Sequence, residues 1–142
     1  MRRSLLVIVF ITIAVGGMTL AQHGGHGKGD VKTISQTEIT EKIDGKKTKA
    51  TIVEVTLGPG NSDAPHRHPG PGFGYVLEGE YEWAIDDQPV KKLKAGDTFY
   101  EPTACLHRVS KNPSKEGKTR ILATVLHSAD VKDIVIPEKE NR

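Results

Sequence analysis

The sequence contains a single cysteine, Cys105, in 142 residues. A disulfide within the chain is therefore excluded, and a folded domain of this size has to be held together by burial of apolar side chains. Aromatic residues make up only 5% of the chain. Since a nucleic-acid surface combines a basic patch with interleaved aromatic side chains, and none is visible here, we expect no nucleic-acid partner.

An excess of charge is also lacking, because 20 basic residues face 18 acidic ones. Arg2 and Arg3 precede the almost wholly apolar residues 5–15, and residues 19–21 place a small side chain before a potential cleavage site. This is the layout of a secretory signal peptide. We therefore predict that residues 1–21 are a signal peptide, that the protein is periplasmic or secreted, and that no integral membrane association remains after cleavage. An uncleaved anchor helix is the alternative, although residues 5–21 are at the short end of the ~20 needed to span a membrane.

Residues 22–30 contain glycine, two histidines and no large apolar side chain. This composition predicts a flexible leader. His23 and His26 are interpreted as incidental polar residues of that leader in preference to a loose metal site.

A sustained 3.6-residue period is absent after residue 30, which argues against long helices. Short alternating segments are separated by turn signals about every ten residues, as is typical of an all-β sandwich or barrel. In residues 49–57 one face is expected to carry Thr51, Val53, Val55 and Leu57. In residues 75–85 one face is expected to carry Tyr75, Leu77, Tyr81, Trp83 and Ile85. We predict one domain over residues 31–137, with residues 131–137 as an edge strand and residues 138–142 as a tail.

Two histidines, His66 and His68, stand one residue apart among prolines and glycines. On an extended segment their side chains lie on the same face, where two neutral imidazoles can share a metal ion. An isolated H-x-H is a weak signal, but here it lies within a longer pattern. Residues 60–79 read "GNSDAPHRHPGPGFGYVLEG", and residues 96–112 read "GDTFYEPTACLHRVSKN".

These two segments resemble the paired motifs of the cupin superfamily, as in its small single-domain members. The first family motif places H-x-H after a glycine and five further residues, and the second ends in a histidine and an asparagine. The resemblance implies an all-β double-stranded β-helix, or jelly-roll barrel, and it implies metal ligation by His66, His68 and His107. It also implies an edge-to-edge homodimer.

Three positions depart from the family pattern. Ala104 stands where the second motif has a glycine, and Asn112 is displaced by one residue from the expected asparagine. The metal-binding glutamate of the first motif falls on Gly72 or Phe73, neither of which can bind a metal. Glu78 shares the parity of Gly72, but six residues at ~3.3 Å place it about 20 Å away along a regular strand.

The positions of Glu54, Glu82 and Glu101 relative to the histidines cannot be deduced from the sequence. If no acid replaces the missing glutamate, three neutral imidazoles leave a divalent ion with its full charge. Such a centre favours an anionic ligand, and the gap at Gly72 leaves room for a chelating substrate or O₂. This arrangement resembles that of three-histidine cupin dioxygenases. Imidazole ligands suit several ions, so the divalent transition metal stays open among Fe(II), Ni, Cu, Zn and Mn.

Three functions are therefore considered. The first is a metal-dependent enzyme, dioxygenase-like, that acts on a small anionic molecule. The second is a non-catalytic module that binds or senses a small ligand, and the third is a structural jelly roll with a vestigial site. Fold alone does not choose among them.

The remaining candidates have simpler interpretations. Cys105 is two residues from His107 and would share its face on an extended segment, but a buried small hydrophobe is the favoured interpretation. For His127 a surface or core role is favoured over ligation. Phe73 and Tyr100 adjoin the motifs, and core packing is the favoured prediction for both.

Overall fold

The protein is represented by a computed structural model that describes residues 27–139. These residues form ten β-strands: β1 (Asp30–Ile43), β2 (Lys46–Leu57), β3 (His66–Arg67), β4 (Gly72–Glu78), β5 (Glu80–Ile85), β6 (Lys91–Lys94), β7 (Thr98–Glu101), β8 (His107–Lys111), β9 (Thr119–Ser128) and β10 (Ile136–Pro137). The described part of the chain contains no helix that could cross a membrane.

The strands form two five-stranded sheets in which the assigned pairings are antiparallel. The first sheet has the order β1-β2-β9-β4-β7, and the second has the order β10-β3-β8-β5-β6. Neighbouring strands within a sheet are mostly distant in sequence, as in a jelly roll. The prediction of an all-β double-stranded β-helix is confirmed.

The core lies between the inner faces of the two sheets. From the first sheet it receives Leu57, Val76 and Ile121, and from the second it receives Tyr81 and Trp83. The predicted inner face of β2 is confirmed, because its alternate residues from 51 to 57 are buried or half-buried. The period of two therefore predicts correctly which side of this strand packs inward.

The prediction for residues 75–85 is only partly right. Tyr81, like Trp83 and Ile85, is buried, but Tyr75 and Leu77 are exposed on the outer face of the first sheet. The cause is Gly79, whose φ of 80° ends β4 and lets β5 begin in the other sheet. A residue without a Cβ adopts this left-handed conformation at little cost. Residues 75–85 therefore belong to two strands whose inward positions alternate with different phases, whereas the sequence pattern suggests one continuous strand.

Core packing is the wrong prediction for Phe73 and Tyr100. These side chains are 50% and 51% exposed, and their rings lie 5.2 Å apart across the β4–β7 pair. They stack on each other as cross-strand neighbours on the solvent-facing side of the first sheet.

The turn that precedes β8 contains Ala104 with a φ of 59°, where the family motif has glycine. Cys105 follows this turn in the segment that leads to β8, which starts at His107, and its side chain is not among those that line the cavity described below. Cys105 packs in the core. Burial, and then the negative charges of Glu101 and Asp86, raise the pKa of its thiol to about 11. Cys105 is thus a buried small hydrophobe, as favoured above.

We predict that Ala104→Gly stabilises the protein by about 0.5–1 kcal/mol, because the left-handed conformation costs a residue with a Cβ ~1–2 kcal/mol and part of this gain is lost to backbone entropy. The measurement is urea unfolding. The matched control is Ala95→Gly in the exposed turn after β6, where φ is not positive. That control should be neutral or destabilising, and equal effects of the two changes would contradict the argument.

Asn112, at the end of β8, is fully buried. Its side-chain N–H groups donate to the carbonyls of Leu57, Gly58 and Gly117, and its side-chain oxygen accepts from Ser114 N. The amide therefore joins the end of β2 to the loop that leads into β9. This explains why an asparagine is present here, one position from its place in the family motif.

Asn112→Ala should destabilise the protein by about 2–4 kcal/mol, since it leaves several buried carbonyls without a donor. Thermal or urea unfolding measures the effect. Exposed Gln88 provides the control, and Gln88→Ala should change stability little. A loss for Asn112→Ala as small as that of the control would show that the loop is held by other contacts.

Candidate metal centre

Three histidines from two distant segments of the chain converge inside the barrel. The nitrogen donors of His66, His68 and His107 all lie within 4.8 Å of one another. The ring centroid of His66 is 4.9 Å from that of His68 and 4.9 Å from that of His107. The sequence-predicted ligand set is therefore brought together in one cluster.

The pairing of β3 with β8 accounts for this convergence. His66 and His107 are direct partners in the antiparallel register, which places their side chains next to each other. His68 lies two residues beyond His66 and therefore on the same face. The short β3 is held in this register by hydrogen bonds from Ala104 N to His68 O and from Asp63 N to Ser110 O.

The prolines and glycines after His68 allow the chain to cross from the second sheet to the first. Gly70 passes so close to β9 that a Cβ there would meet the Leu126 carbonyl oxygen at 1.8 Å. Pro71 O accepts a hydrogen bond from Leu126 N. The "HPGPG" stretch therefore turns the backbone without placing a side chain between the histidines and β9.

Each histidine uses one ring nitrogen in a hydrogen bond and turns the other toward the cluster. The Nδ1 atoms of His66 and His68 donate to the backbone carbonyls of Ala64 and Ile134, at 2.8 and 2.6 Å. Because a carbonyl only accepts, these bonds require a proton on Nδ1 and leave Nε2 of each ring as the candidate metal donor.

His107 is oriented from behind by a chain of hydroxyl groups. Its Nε2 lies 3.2 Å from the Tyr81 hydroxyl, which donates to Ser110 Oγ at 3.0 Å. Ser110 in turn donates to the Asp63 carboxylate. Because the Tyr81 hydroxyl proton is donated to Ser110, its oxygen can only accept from His107 Nε2. His107 therefore carries its proton on Nε2 and its lone pair on Nδ1. His107 Nδ1 is buried and has no hydrogen-bond partner.

A buried carboxylate that the sequence could not place, Glu101 at the end of β7, lies against two of the three histidines. Its Oε2 is 3.2 Å from His68 Nε2, and its Oε1 is 3.2 Å from His107 Nδ1. The second contact lacks hydrogen-bond geometry, so His107 Nδ1 stays without a partner. Trp83 Nε1 donates to Glu101 Oε1 at 2.9 Å, which fixes the orientation of the carboxylate.

This same side chain lies beside Gly72, the position at which the sequence lacks an acid. Gly72 and Glu101 are register partners in the β4–β7 pair. A Cβ at position 72 would lie 3.5 Å from Glu101 Cβ and 3.6 Å from its Oε2. The expectation of a centre without a nearby acid is therefore wrong, and Gly72 itself lines the cavity. The cross-strand neighbour supplies an acid that the strand itself lacks.

Burial and the mutual contacts of these groups set their protonation. Burial lowers the pKa of His66, with a smaller contribution from His68. Burial also lowers the pKa of His107 to about 4, although the charge of Glu101 opposes this. For Glu101, burial raises the pKa, but the contacts with His68, His107 and Trp83 outweigh it and the net shift is downward. At neutral pH the centre thus holds a carboxylate and two neutral imidazoles.

His68 differs from the other two histidines. Burial lowers its pKa, but the hydrogen bonds with Glu101 and the Ile134 carbonyl outweigh burial and the net shift is upward. A proton on His68 Nε2 therefore competes with a metal ion for the same lone pair.

The residues present fit a divalent transition metal. Three imidazole nitrogens point into one space, and each ring is held from behind by a hydrogen bond, as metal-binding histidines usually are. The orphaned Nδ1 of His107 is the most direct indication, since a buried polar atom rarely lacks a partner.

The cluster lies in the wall of a cavity of about 330 Å³. This volume is at the lower end of the ~300–1,000 Å³ typical of small-molecule sites. The lining is mostly apolar, with side chains such as Val53, Ile121 and Val125 from the first sheet. Of the described residues that line it, Lys28 alone carries a permanent positive charge.

The other histidines do not join the centre. His127 is buried, with Nε2 2.8 Å from Thr51 Oγ1 and Nδ1 donating to Ser128 O, in agreement with the favoured core role. His23 and His26 lie outside the described residues. Residues 27–29 pack against the loop before β3, where Gly29 N donates to Asp63.

One signal in the sequence could have identified Glu101. In β7 the inward positions are Phe99 and Glu101, and the second is an acid on a face that packs into the barrel. An ionisable residue at an inward position of a strand requires a partner. Strand phase alone, however, does not show that this partner is the histidine cluster.

A two-sheet β-barrel with a three-histidine cluster in the wall of its cavity defines the class of jelly-roll proteins with a candidate metal centre. The sequence profile of the cupin domain matches residues 53–125, which is half of the chain and includes both motifs. The protein belongs to the cupin family. No protein of curated function matches the chain.

Solved structures agree on the fold. An uncharacterized conserved protein with a double-stranded beta-helix domain from Klebsiella pneumoniae is 21% identical, with a TM-score of 0.58 over 81% of this chain and 90% of that one. DMSP lyase DddQ from Ruegeria pomeroyi is 18% identical, with a TM-score of 0.56 over 81% and 54%. An oxalate oxidase is 22% identical, with a TM-score of 0.53 over 62% and 45%. The chain thus spans less than half the length of the oxalate oxidase structure that it matches.

We predict that Tyr81→Phe weakens metal affinity by about 10–100-fold, because His107 Nε2 loses the acceptor that fixes its tautomer. Equilibrium titration with Co(II) or Zn(II) measures the effect. Tyr75→Phe, on the exposed outer face of the first sheet, is the matched control and should bind like the wild type. Equal affinities for the two variants would show that the hydroxyl chain does not orient His107.

Proposed function

We propose that the protein is a metal-dependent cupin enzyme, of dioxygenase type, that binds a divalent transition metal through His66, His68 and His107. The observation that carries this proposal is the convergence of three imidazole donors, one of them a buried nitrogen without a partner, in the wall of a mostly apolar cavity. A bound divalent ion would supply Lewis acidity and a template for substrate and O₂.

The cavity restricts the substrate to a small molecule with one polar end. The histidines and Glu101 supply polar groups to the cavity, and apolar side chains such as Val53, Val55 and Val125 line it elsewhere. A substrate of the proposed kind carries an oxygen or sulfur donor at one end and an apolar body at the other. Its donor would face the histidines and Glu101, and its body would be held by burial against these apolar side chains.

The buried carboxylate changes the charge argument made from the sequence. Glu101 contributes one negative charge beside the histidines, so a divalent ion would keep a net charge of about +1 in this site. An anionic donor, such as a carboxylate, an enolate or a thiolate, remains favourable because the resulting complex is neutral. A dianionic substrate is disfavoured, since Lys28 is the only permanent cation among the described lining residues.

The first experiment tests the metal centre itself. Purified protein should retain stoichiometric metal after dialysis, and His66→Ala and His107→Ala should lose it because each removes a donor. The control is His127→Gln, which changes a histidine outside the cluster. Equal metal content in all four proteins would contradict the proposal. Free metal at 100 times its Kd should also stabilise the wild type by about 2.7 kcal/mol, measured by thermal unfolding.

The second experiment tests turnover. A dioxygenase inserts both atoms of O₂ into its substrate, so the reaction needs no additional reductant. Fe(II)-loaded protein is given small thiols, diketones and carboxylates, and oxygen uptake and product mass are recorded. We expect uptake with at least one compound, a product heavier by both oxygen atoms, and no uptake with His66→Ala.

A non-catalytic module that binds a small ligand is the second candidate, favoured by the apolar cavity itself. A thermal shift with one of these compounds and no oxygen uptake would support it over the enzyme. Export through residues 1–21 and edge-to-edge dimers are further proposals. N-terminal sequencing of the exported protein and sedimentation analysis test them, and a chain that starts at Met1 would rule out cleavage.

A further inference from the structure

The charge state of Glu101 is the starting point. Its side chain is 3% exposed and lies inside the barrel, where an isolated carboxylate would be strongly destabilising. It contacts Trp83, His68 and His107, and it has no lysine or arginine partner within the described part of the chain. Trp83 supplies one neutral N–H, which is weak compensation for a buried negative charge, and the remaining compensation has to come from a proton or a metal ion on the histidine side. The position therefore calls for a cation.

The two contacts with histidines show where that cation would lie. His107 turns a lone pair toward Glu101 Oε1, and His68 turns Nε2 toward Glu101 Oε2, each at 3.2 Å. Two acceptors at this distance repel unless a proton or a metal ion lies between them. Donor atoms that bind one ion at about 2.0–2.2 Å, in tetrahedral or octahedral geometry, are themselves about 3–3.4 Å apart. The 3.2 Å between His68 Nε2 and Glu101 Oε2 is the spacing of neighbouring ligands of one ion, and Oε1, which faces His107 Nδ1, belongs to the same carboxylate.

Trp83 fixes the orientation of the Glu101 carboxylate through one of its two oxygens. The indole N–H holds Oε1, whereas Oε2 has no hydrogen-bond donor other than His68 within the described residues. The carboxylate is thus oriented by one oxygen and presents the other to the histidine cluster. A ligating carboxylate is commonly held in this way.

The relation to Gly72 gives a second, independent line of evidence. A side chain at position 72 would start 3.5 Å from Glu101 Cβ, on the same inner face of the first sheet. Its carboxylate would reach the volume that Glu101 now fills. Gly72 does not have a positive φ, so its backbone accepts a residue with a Cβ.

We propose that Glu101 is the carboxylate ligand of the metal centre, through Oε2, and that it takes the place of a carboxylate at position 72. The assignment rests on the proposed function, because it requires that the histidines bind a metal. It makes the centre a site of three imidazoles and one carboxylate, with the acid supplied by β7 across the strand pair. A centre of this kind suits Fe(II) or Mn(II) better than three imidazoles alone.

The test uses Co(II), whose visible absorption reports the number and type of its ligands. Wild type, Glu101→Gln and Glu101→Ala are titrated with Co(II) alone. We expect both variants to lose about 100-fold or more in affinity, above most of the ~10–100-fold range for a group that only orients a ligand, and to show a changed spectrum. Glu82→Gln, which alters an acid of β5 paired with Lys111 on the outer side, is the matched control and should match the wild type.

A relocation variant, Gly72→Glu combined with Glu101→Ala, tests the equivalence of the two positions. It should recover most of the affinity that Glu101→Ala loses and restore a carboxylate-containing Co(II) spectrum. A double variant that binds no better than Glu101→Ala would contradict the equivalence. Thermal unfolding of each metal-free protein confirms that it is folded, and the isosteric Glu101→Gln preserves the packing if the alanine variant does not fold.

The outcomes separate the inference from the proposed function. If His66→Ala loses Co(II) but Glu101→Gln keeps wild-type affinity and spectrum, the assignment of Glu101 is wrong and the metal centre stands. If Glu101→Gln binds more weakly with an unchanged spectrum, Glu101 orients the histidines and the ligand assignment is also wrong. If His66→Ala binds Co(II) like the wild type, the proposed function fails and the inference fails with it.

Discussion

The antiparallel pairing of His66 with His107 is the constraint on which the site depends. It involves a strand of only two residues, so few ladder hydrogen bonds support it. The register is held from outside by backbone hydrogen bonds at His68 and Asp63 and by the crossing of Gly70 against β9. A shift of one residue would turn both histidines of the H-x-H pair away from His107. The loops on both sides of β3 therefore hold the histidines in position in addition to connecting the two sheets.

The buried polar groups around the histidines act as one unit. Asp63, Ser110 and Tyr81 fix the tautomer of His107 from one side, and Trp83 fixes Glu101 from another. Both networks lie in the interior of the protein, where each unsatisfied polar atom costs more than it would in water. His107 Nδ1 is left as the exception. The barrel thus uses its own packing to hold lone pairs in fixed directions toward one point.

Much of the fold follows from short-range patterns. The inner face of β2 is readable from its period of two, and the turn residues locate most strand ends. The same reasoning fails between residues 75 and 85, because Gly79 moves the chain into the other sheet and changes the phase of the alternation. Phe73 and Tyr100 are misjudged for a related reason: each is apolar enough for a core, but strand phase places both on the outer face of the first sheet. Hydrophobicity does not distinguish the two faces of a strand when the register is unknown.

The sequence by itself determined the three histidines and the barrel that carries them, since both follow from motif spacing and from alternation within single strands. It also showed that position 72 lacks an acid. Only the tertiary structure decided that Glu101 lies beside that position, because Gly72 and Glu101 are 29 residues apart and become neighbours through the β4–β7 register. Spacing along the chain reports contacts within one strand, whereas contacts across strands depend on how the whole barrel closes.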